Sequence, residues 1–274
     1  MQTDELIIEA DSTERHYWKD VWRYRELFYF LAWRDFLVRY KQTAIGITWA
    51  LIRPLLITVA FVFVFGKLAK LPSDGVPYPI LVFAALLPWQ FFANAFAEAG
   101  NSLIANANMI SKVYFPRLVV PASAVIVCLV DVLISGVLLV GLMLWYGMVP
   151  DWRIVTLPLF LAHAVVAAMG TGLWIAALNV QYRDFRYIIP FVVQFGLYVS
   201  PVGFSSAIVP DQWRLLYSLN PMVGVIDGFR WAILGGENHL YWPGLALSLA
   251  LVLVIAITGV WYFRKMEKSF ADVI

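Results

Sequence analysis

Residues 44–65 form a nearly unbroken apolar run, and this run limits the folds that the chain can adopt. At a rise of about 1.5 Å per residue, a helix of that length crosses a bilayer hydrocarbon core of about 30 Å. The run contains one charged residue, Arg53, which is followed directly by Pro54. It is therefore predicted to be a transmembrane helix.

Further apolar stretches follow, separated by polar or proline-rich connections. We predict spans at residues 78–99, 118–146, 154–180, from 188 onward, and 242–263. The composition agrees, because 62% of the 274 residues are hydrophobic and 14% are charged, whereas soluble domains are about half apolar and a quarter charged. The predicted fold class is an all-α polytopic membrane protein with six transmembrane helices.

Aromatic residues recur at helical spacing in residues 20–42, ahead of the first span. The basic residues there lie largely off the aromatic face, a pattern typical of an amphipathic helix in the headgroup layer. The alternative is a solvated helix that only anchors the first span.

We divide the chain into a cytoplasmic tail and interface helix at 1–43, a transmembrane domain at 44–263 and a basic cytoplasmic tail at 264–274.

Residues 203–236 separate the fifth and sixth spans and contain two short helical patterns, at 211–219 and 221–234. Asn220-Pro221 suits a helix N-cap followed by proline at the first helical position. Charged residues make crossing costly for both segments. We predict two short re-entrant helices that enter the membrane from the outer side.

The distribution of Lys and Arg predicts the orientation. With the N-terminus inside, the inner segments hold 14 of the 20 basic residues and the outer segments five, with Arg53 in a span. The first 14 residues are acidic and lack the apolar core of a secretory signal. Both termini are therefore expected in the cytoplasm.

The sequence contains no pattern typical of catalysis or metal binding. His16, His163 and His239 stand far apart without Cys or Glu at ligand spacing, and the phosphate-binding Gly-x-x-x-x-Gly-Lys motif is missing. The single Cys128 excludes a disulfide within the chain. We expect no metal, no cofactor and no nucleotide site, and the net charge of +2 does not suggest nucleic acid as a partner.

Basic residues gather near the inner end of the first span, where they can attract a lipid diphosphate. They are Arg23, Arg25, Arg39, Lys41 and Arg53. The alternative is plain positive-inside bias. A charge at the depth of Arg53 should face the bundle interior, and we hypothesise a pair with Glu98 at similar depth, the alternative being an arginine that extends to the interface. Asp131 lies nearer the middle of the membrane.

Aromatic rings on the second span and around the fifth can line a path for sugars, because ring faces stack on the CH faces of sugars without a fixed hydrogen-bonding pattern. These are Trp89, Phe91, Phe92, Phe96, Phe191, Phe195, Tyr198 and Phe204. The alternative is helix packing and an interfacial aromatic belt.

Several short stretches, taken in their order and spacing, resemble one family. They are Arg39-Tyr40-Lys41-Gln42-Thr43, then Gly46, Trp49 and Pro54, then Tyr182-Arg183-Asp184-Phe185-Arg186, and Asn220-Pro221-Met222 running into Gly228-Phe229-Arg230. With the six-span layout, residues 24–263 resemble the ABC-2-type permeases that export polysaccharides, in particular the O-antigen permeases, with teichoic acid permeases as relatives.

The resemblance implies a homodimer in the bacterial inner membrane, surrounded by membrane lipids and bound to two copies of an ABC ATPase subunit. It implies a coupling helix within 100–117, a second ATPase contact at 181–187, and a channel lined by spans one and five, with the outer helices shaping the exit. The cargo would be an undecaprenyl-diphosphate-linked glycan moving outward. The implied coupling residues are Asn106, Asn108, Lys112, Tyr114, Arg183, Asp184 and Arg186.

Two other function classes remain open at this point. An integral-membrane enzyme acting on a polyprenyl-linked glycan needs converging carboxylates or a metal, but Asp184 and Asp211 fall in loops predicted on opposite sides. A stand-alone carrier would favour more buried charge than Arg53, Glu98 and Asp131, together with an inverted repeat. A teichoic acid is the alternative cargo.

Overall fold

The computed structural model describes residues 13–41, 46–73, 75–182, 184–235 and 240–270, and these residues form helices and connecting loops without strands. The α-helices are α1 Thr13–Arg23, α2 Arg25–Lys41, α3 Gly46–Phe61, α4 Tyr78–Ala105, α5 Ala107–Ile110, α6 Val119–Trp145, α7 Leu157–Gln181, α8 Phe185–Val199, α9 Asp211–Tyr217, α10 Pro221–Leu234 and α11 Trp242–Glu267. A π-helix, Val62–Leu68, extends α3, and 3₁₀ turns occupy Trp152–Thr156 and Ser206–Ile208.

Within the described ranges, five helical stretches are long and apolar enough to cross a bilayer. They are Thr48–Leu68, Tyr78–Ala105, Val119–Trp145, Trp152–Gln181 and Trp242–Glu267. The predicted fifth span corresponds to α8, which is apolar but has only 15 residues, about 22 Å at a rise of about 1.5 Å per residue. Pro190 lies inside α8, and Pro201 follows its end. The all-α polytopic fold class is confirmed.

Helix α4 is the centre of the bundle. It contacts α3, α6, α7, α8 and α10, and 83% of its most apolar stretch is buried, against 17–33% in the other four spans. Alanines contribute to this burial, since Ala84, Ala85, Ala95 and Ala99 are fully buried. Small side chains let helix backbones approach closely, which drives helix association where lipid offers no hydrophobic advantage.

Helices α7 and α11 also pack through small residues. A Cβ atom on Gly170 would lie 2.7 Å from Ala256 Cα, and one on Gly259 would lie 2.4 Å from the carbonyl oxygen of Gly170. Both neighbours are backbone atoms, which cannot rotate away. The two helices are therefore held at a distance that excludes a methyl group at either glycine.

The N-terminal helices lie against the end of the bundle where α4 ends and α6 begins. The predicted amphipathic segment at 20–42 is divided into α1 and α2 around Tyr24, and α2 packs on α6 and α3. Leu31 is buried in a cluster with Leu103, Ile110 and Phe115. The opposite side exposes aromatic rings, as expected for a helix whose rings meet the acyl boundary. These rings are Trp22, Tyr29, Phe30 and Trp33.

The two short helices predicted after the fifth span are present as α9 and α10. The Asn220 side chain accepts from the Met222 backbone N–H at 3.0 Å, which confirms the predicted N-cap. Arg230 of α10 is buried, and its guanidinium donates to the carbonyls of Leu81, Val202 and Phe204 at 3.2, 3.0 and 2.7 Å. This side chain fixes the irregular segment after α8 against α4.

The close approach of α7 to α11 predicts that Gly170→Ala is destabilising by about 1–3 kcal/mol, because overpacking strains the helix pair. The matched control is Gly141→Ala on α6, where an added Cβ would meet nothing within 4 Å. Alanine is a better helix former than glycine by about 1 kcal/mol, so the control should be neutral or stabilising. Thermal unfolding in detergent measures both variants, and equal midpoints would contradict the predicted packing.

Candidate functional site

A cavity of about 300 Å³ lies where the end of α2 meets α3, α4 and α6. The middle of α4 and α6 is otherwise apolar, so a polar cavity there is unusual at this depth of a membrane protein. Trp49 of α3 forms part of the wall. The polar lining comes from Arg39 and Tyr40 of α2, Arg53 of α3, Gln90 and Asn94 of α4, and Asp131 and Ser135 of α6.

Asp131 is held by two consecutive residues of α2. Arg39 Nη2 lies 2.9 Å from Asp131 Oδ2, and the Tyr40 hydroxyl donates to Asp131 Oδ1. Burial, reinforced by this hydrogen bond, raises the pKa of Tyr40, so the phenol remains a donor. Asp131 lies twelve residues from the start of α6 at Val119, about 18 Å at about 1.5 Å per residue. The carboxylate is thus compensated deep in the bundle.

A second contact fixes the middle of α2 at the end of the bundle where α4 meets α5. Arg34 Nη2 donates to Asn106 Oδ1 at 2.8 Å and to Asp35 Oδ1 at 2.7 Å. Asn106 lies between α4 and α5. Helix α2 therefore leads from the connection after α4 to the carboxylate in the middle of α6, rather than only covering the inner surface.

The hypothesised Arg53–Glu98 pair is absent. In the described parts of the chain, the side-chain ion pairs are Arg34–Asp35, Arg39–Asp131 and Arg153–Asp151. Arg53 and Glu98 are both exposed. Similar depth along two helices does not place two side chains on facing surfaces, and Arg39, from outside the first span, takes the buried carboxylate instead.

The predicted inner-mouth residues occupy two environments. Arg39 and Arg53 line the cavity. Arg23, Arg25 and Lys41 are exposed on α1 and α2. The predicted cluster is therefore divided between the cavity wall and the exposed surface of the N-terminal helices.

The predicted channel aromatics on α4 are core residues. All four rings are at most 7% exposed, and they are Trp89, Phe91, Phe92 and Phe96. Trp89 packs against the backbone of α8, because a Cβ atom on Gly196 would lie 2.5 Å from the indole. Of the four, Phe91 borders the polar cavity. These rings are enclosed by the protomer itself, which agrees with the alternative of helix packing.

The predicted aromatics on α8 form an exposed face. Phe191, Phe195 and Tyr198 are 58–65% exposed, and their spacing of four and three residues puts them on one side of the helix. The rings of Phe191 and Phe195 are nearly parallel, with centroids 5.7 Å apart. Phe204 lies beyond the helix, half-buried, with its ring centroid 6.5 Å from that of Tyr217.

The connection between α4 and α6 presents an exposed tip on a buried base. Ile110 and Phe115 are buried, whereas Asn108, Lys112 and Tyr114 are exposed. Asp184 and Arg186, at the start of α8, are also exposed, and Arg183 lies outside the described residues.

Specific contacts join α1, the residues just before α6 and the C-terminal end of α11. The Arg117 backbone N–H donates to Glu267 Oε1 at 2.6 Å, and the Arg117 side chain donates to the Glu267 carbonyl. The Arg264 guanidinium lies 4.5 Å from the centroid of the Tyr17 ring. A displacement of the exposed tip would therefore act on a connected set of helix ends.

The sequence signature of the ABC-2 type transporter family matches residues 26–234. The chain belongs to this family. It is similar to the O-antigen export system permease protein RfbA of Klebsiella pneumoniae, with 26% identity over 246 residues that cover 88% of this chain and 92% of the relative.

Two further relatives extend the comparison over most of the chain. RfbA of Myxococcus xanthus is 25% identical over 258 residues, covering 93% of this chain and 97% of the relative. The polysialic acid transport protein KpsM of Escherichia coli is 21% identical over 243 residues, covering 86% and 92%.

Sequence reasoning missed several cavity residues of this ABC-2 family member. The sequence indicates only the depth of Asp131. A carboxylate in an apolar helix requires a partner, and in the structure Arg39 and Tyr40 are its partners. Gln90 and Asn94 were not singled out, although they are amides four residues apart in an apolar helix. That spacing places both on one face and was the available signal.

The Arg39–Asp131 contact predicts that Arg39→Met destabilises the fold by about 1–3 kcal/mol, because it leaves a largely covered carboxylate without its cation. Adding Asp131→Asn should restore part of the loss, since interacting residues are not additive. Arg25→Met, which removes an exposed charge from the same helix, serves as the control. Unfolding in detergent gives the double-mutant cycle, and strictly additive effects would rule out the pair.

Proposed function

We propose that this protein is the transmembrane subunit of an ATP-driven exporter that moves an undecaprenyl-diphosphate-linked polysaccharide, O-antigen-like, outward across the bacterial inner membrane. Both termini lie in the cytoplasm in this proposal. The observation that carries it is the likeness, over more than four-fifths of the chain, to proteins named for O-antigen export and polysialic acid transport. The RfbA proteins favour an O-antigen-like cargo over a teichoic acid.

The energy for transport is proposed to come from two copies of a separate ABC ATPase subunit. Membership of the ABC-2 family supports this, as does the lack of a phosphate-binding Gly-x-x-x-x-Gly-Lys motif in the sequence. The exposed tip at Lys112, Val113 and Tyr114 is the proposed docking point. Its base is fastened to α11 through Arg117, so force applied there can reach the spans.

The channel is proposed to form between two copies of the chain, along α3 and α8. Both helices present exposed apolar faces within one protomer, including Leu56 and Val59 of α3. The exposed face of α8 adds Phe191, Phe195 and Tyr198, which offer ring faces to the CH faces of passing sugars. The proposal therefore places the sugar path on α8 and not on the enclosed rings of α4.

The lipid diphosphate is proposed to enter from the inner leaflet. Arg23, Arg25 and Lys41 are exposed where they can attract an anionic headgroup, each contributing about 1 kcal/mol near a membrane surface. Arg53 follows deeper, in the cavity wall. Because Arg39 is paired with Asp131, its proposed role is to position α2 rather than to bind the phosphate.

The first test is export in reconstituted vesicles that contain this chain, an ABC ATPase subunit and lipid-linked glycan. We expect ATP-dependent protection of the glycan from an added glycosidase, and no protection with the chain alone. Arg53→Ala should lower the export rate about tenfold, the effect of losing about 1.4 kcal/mol of binding. The control is Lys67→Ala, which removes a charge near the proposed outer end of the first span and should leave the export rate unchanged. ATP hydrolysis without glycan movement would overturn the proposal.

The docking point has its own test, because two exposed tyrosines flank α6. Tyr114 precedes the helix and Tyr146 follows it, and both are exposed. Tyr114→Ala should reduce co-purification of the ATPase subunit several-fold, since exposed aromatics at an interface centre often dominate binding. Tyr146→Ala removes the same ring from the other end of α6 and should have no effect. Equal effects of the two variants would contradict docking at this tip.

A further inference from the structure

The polar cavity offers more hydrogen-bonding groups than a phosphate can use. Gln90 and Asn94 lie one turn apart on α4 and both line it. The Gln90 Nε2 atom is buried and has no hydrogen-bond partner among the residues that the structure describes. An unsatisfied amide at this depth is costly, because the hydrocarbon supplies no water to replace the partner. Because this nitrogen is covered in the structure, a ligand reaches it only after the Gln90 side chain turns toward the cavity, and the hydrogen bond then removes the cost.

The charge of the lining also argues against an anion alone. Asp131 neutralises Arg39, which leaves Arg53 as the cation of the wall that is not engaged in an ion pair among the described residues. A carboxylate beside the site repels phosphate oxygens but accepts from hydroxyl groups. Two carboxamides and a carboxylate form a donor and acceptor set that suits a ring bearing several hydroxyls.

The wall also supplies a flat apolar surface. Trp49 lines the cavity and is exposed, and it precedes Arg53 by four residues, so both lie on one face of α3. One turn is about 5.4 Å, comparable to the separation between a sugar ring and the phosphate attached directly to it. The volume of about 300 Å³ is at the lower end of ligand pockets, about 300–1,000 Å³, so it suits one ring rather than a chain.

We propose that this cavity is a glycosyl subsite that binds the sugar attached directly to the lipid diphosphate. The sugar stacks on Trp49 and hydrogen-bonds to Gln90, Asn94 and Asp131, while Arg53 contacts the adjoining phosphate. This inference rests on the proposed function. It adds a selection step, because a bare polyprenyl diphosphate leaves the Gln90 amide unsatisfied, whereas a loaded carrier satisfies it. The subsite thus distinguishes loaded from empty carrier lipid.

The test compares two probes on the complex of this chain with its ATPase in nanodiscs. The probes are radiolabelled undecaprenyl diphosphate and the same lipid carrying one glucose unit. Gln90→Leu and Asn94→Leu should each weaken binding of the glucosylated lipid about tenfold, the effect of about 1.4 kcal/mol, and leave the bare lipid unchanged. Gln212→Leu, a glutamine exposed on α9, is the matched control and should change neither.

Variants of Trp49 provide a second measurement that does not disturb the buried helix α4. Trp49→Ala should weaken binding of the glucosylated probe selectively, and Trp49→Phe should restore most of it. Arg53→Ala should weaken both probes. The subsite is overturned if Gln90→Leu and Trp49→Ala affect both probes equally or neither. Failure of the wild-type complex to export any lipid-linked glycan with ATP would instead overturn the proposed function, so the two failures are distinguishable.

Discussion

The carboxylate of Asp131 in the middle of α6 determines where the N-terminal helices can lie. A charge at that depth is tolerated only with a partner, and its partners are Arg39 and Tyr40 of α2. Helix α2 must therefore reach into the bundle, although its exposed rings are those of an interfacial helix. Because α2 packs on α6 and its Arg34 also bonds to Asn106, this helix links the carboxylate in the middle of α6 to the connection after α4.

At the end of the bundle where α8 finishes, backbone carbonyls likewise have side-chain partners. Three successive carbonyls after α8 are held by side chains, since Arg230 donates to Val202 and Phe204 and the Tyr78 hydroxyl donates to Gly203 at 2.5 Å. Irregular backbone at membrane depth is tolerated where it is buried in protein. These contacts hold the C-terminal end of α8 to α4 and α10. Near its other end the buried Ile189 packs close to Gly100 of α4, so α8 is attached to α4 at both ends.

Much of the fold was predictable because spanning length and apolarity are properties of the sequence alone. The spans and the Asn220 cap needed only periodicity and known capping chemistry. The roles of the aromatics were not predictable in this way, since Phe91 and Phe191 occupy similar apolar helices yet are 1% and 65% exposed. Which side of a helix faces another helix depends on packing between distant segments. The Arg53–Glu98 hypothesis failed for this reason, because depth along a helix says nothing about the direction of a side chain.

Polar groups in this bundle are of two kinds: those that bond within the protein and those that lack a partner among the described residues. Most are satisfied by the protein itself. The Asn179 amide nitrogen, for example, donates to the Gly100 carbonyl at 2.9 Å. The Arg230 guanidinium donates to two carbonyls of the loop after α8. Some buried atoms away from the cavity, such as Asn179 Oδ1 and His163 Nδ1, also lack a partner among the described residues. The cavity differs because the unpartnered Gln90 Nε2 lies there beside Arg53, which is exposed in the wall. In hydrocarbon an unsatisfied donor is selected against unless something binds it. The cavity therefore combines an unsatisfied donor with an exposed cation at a depth where polar groups are costly.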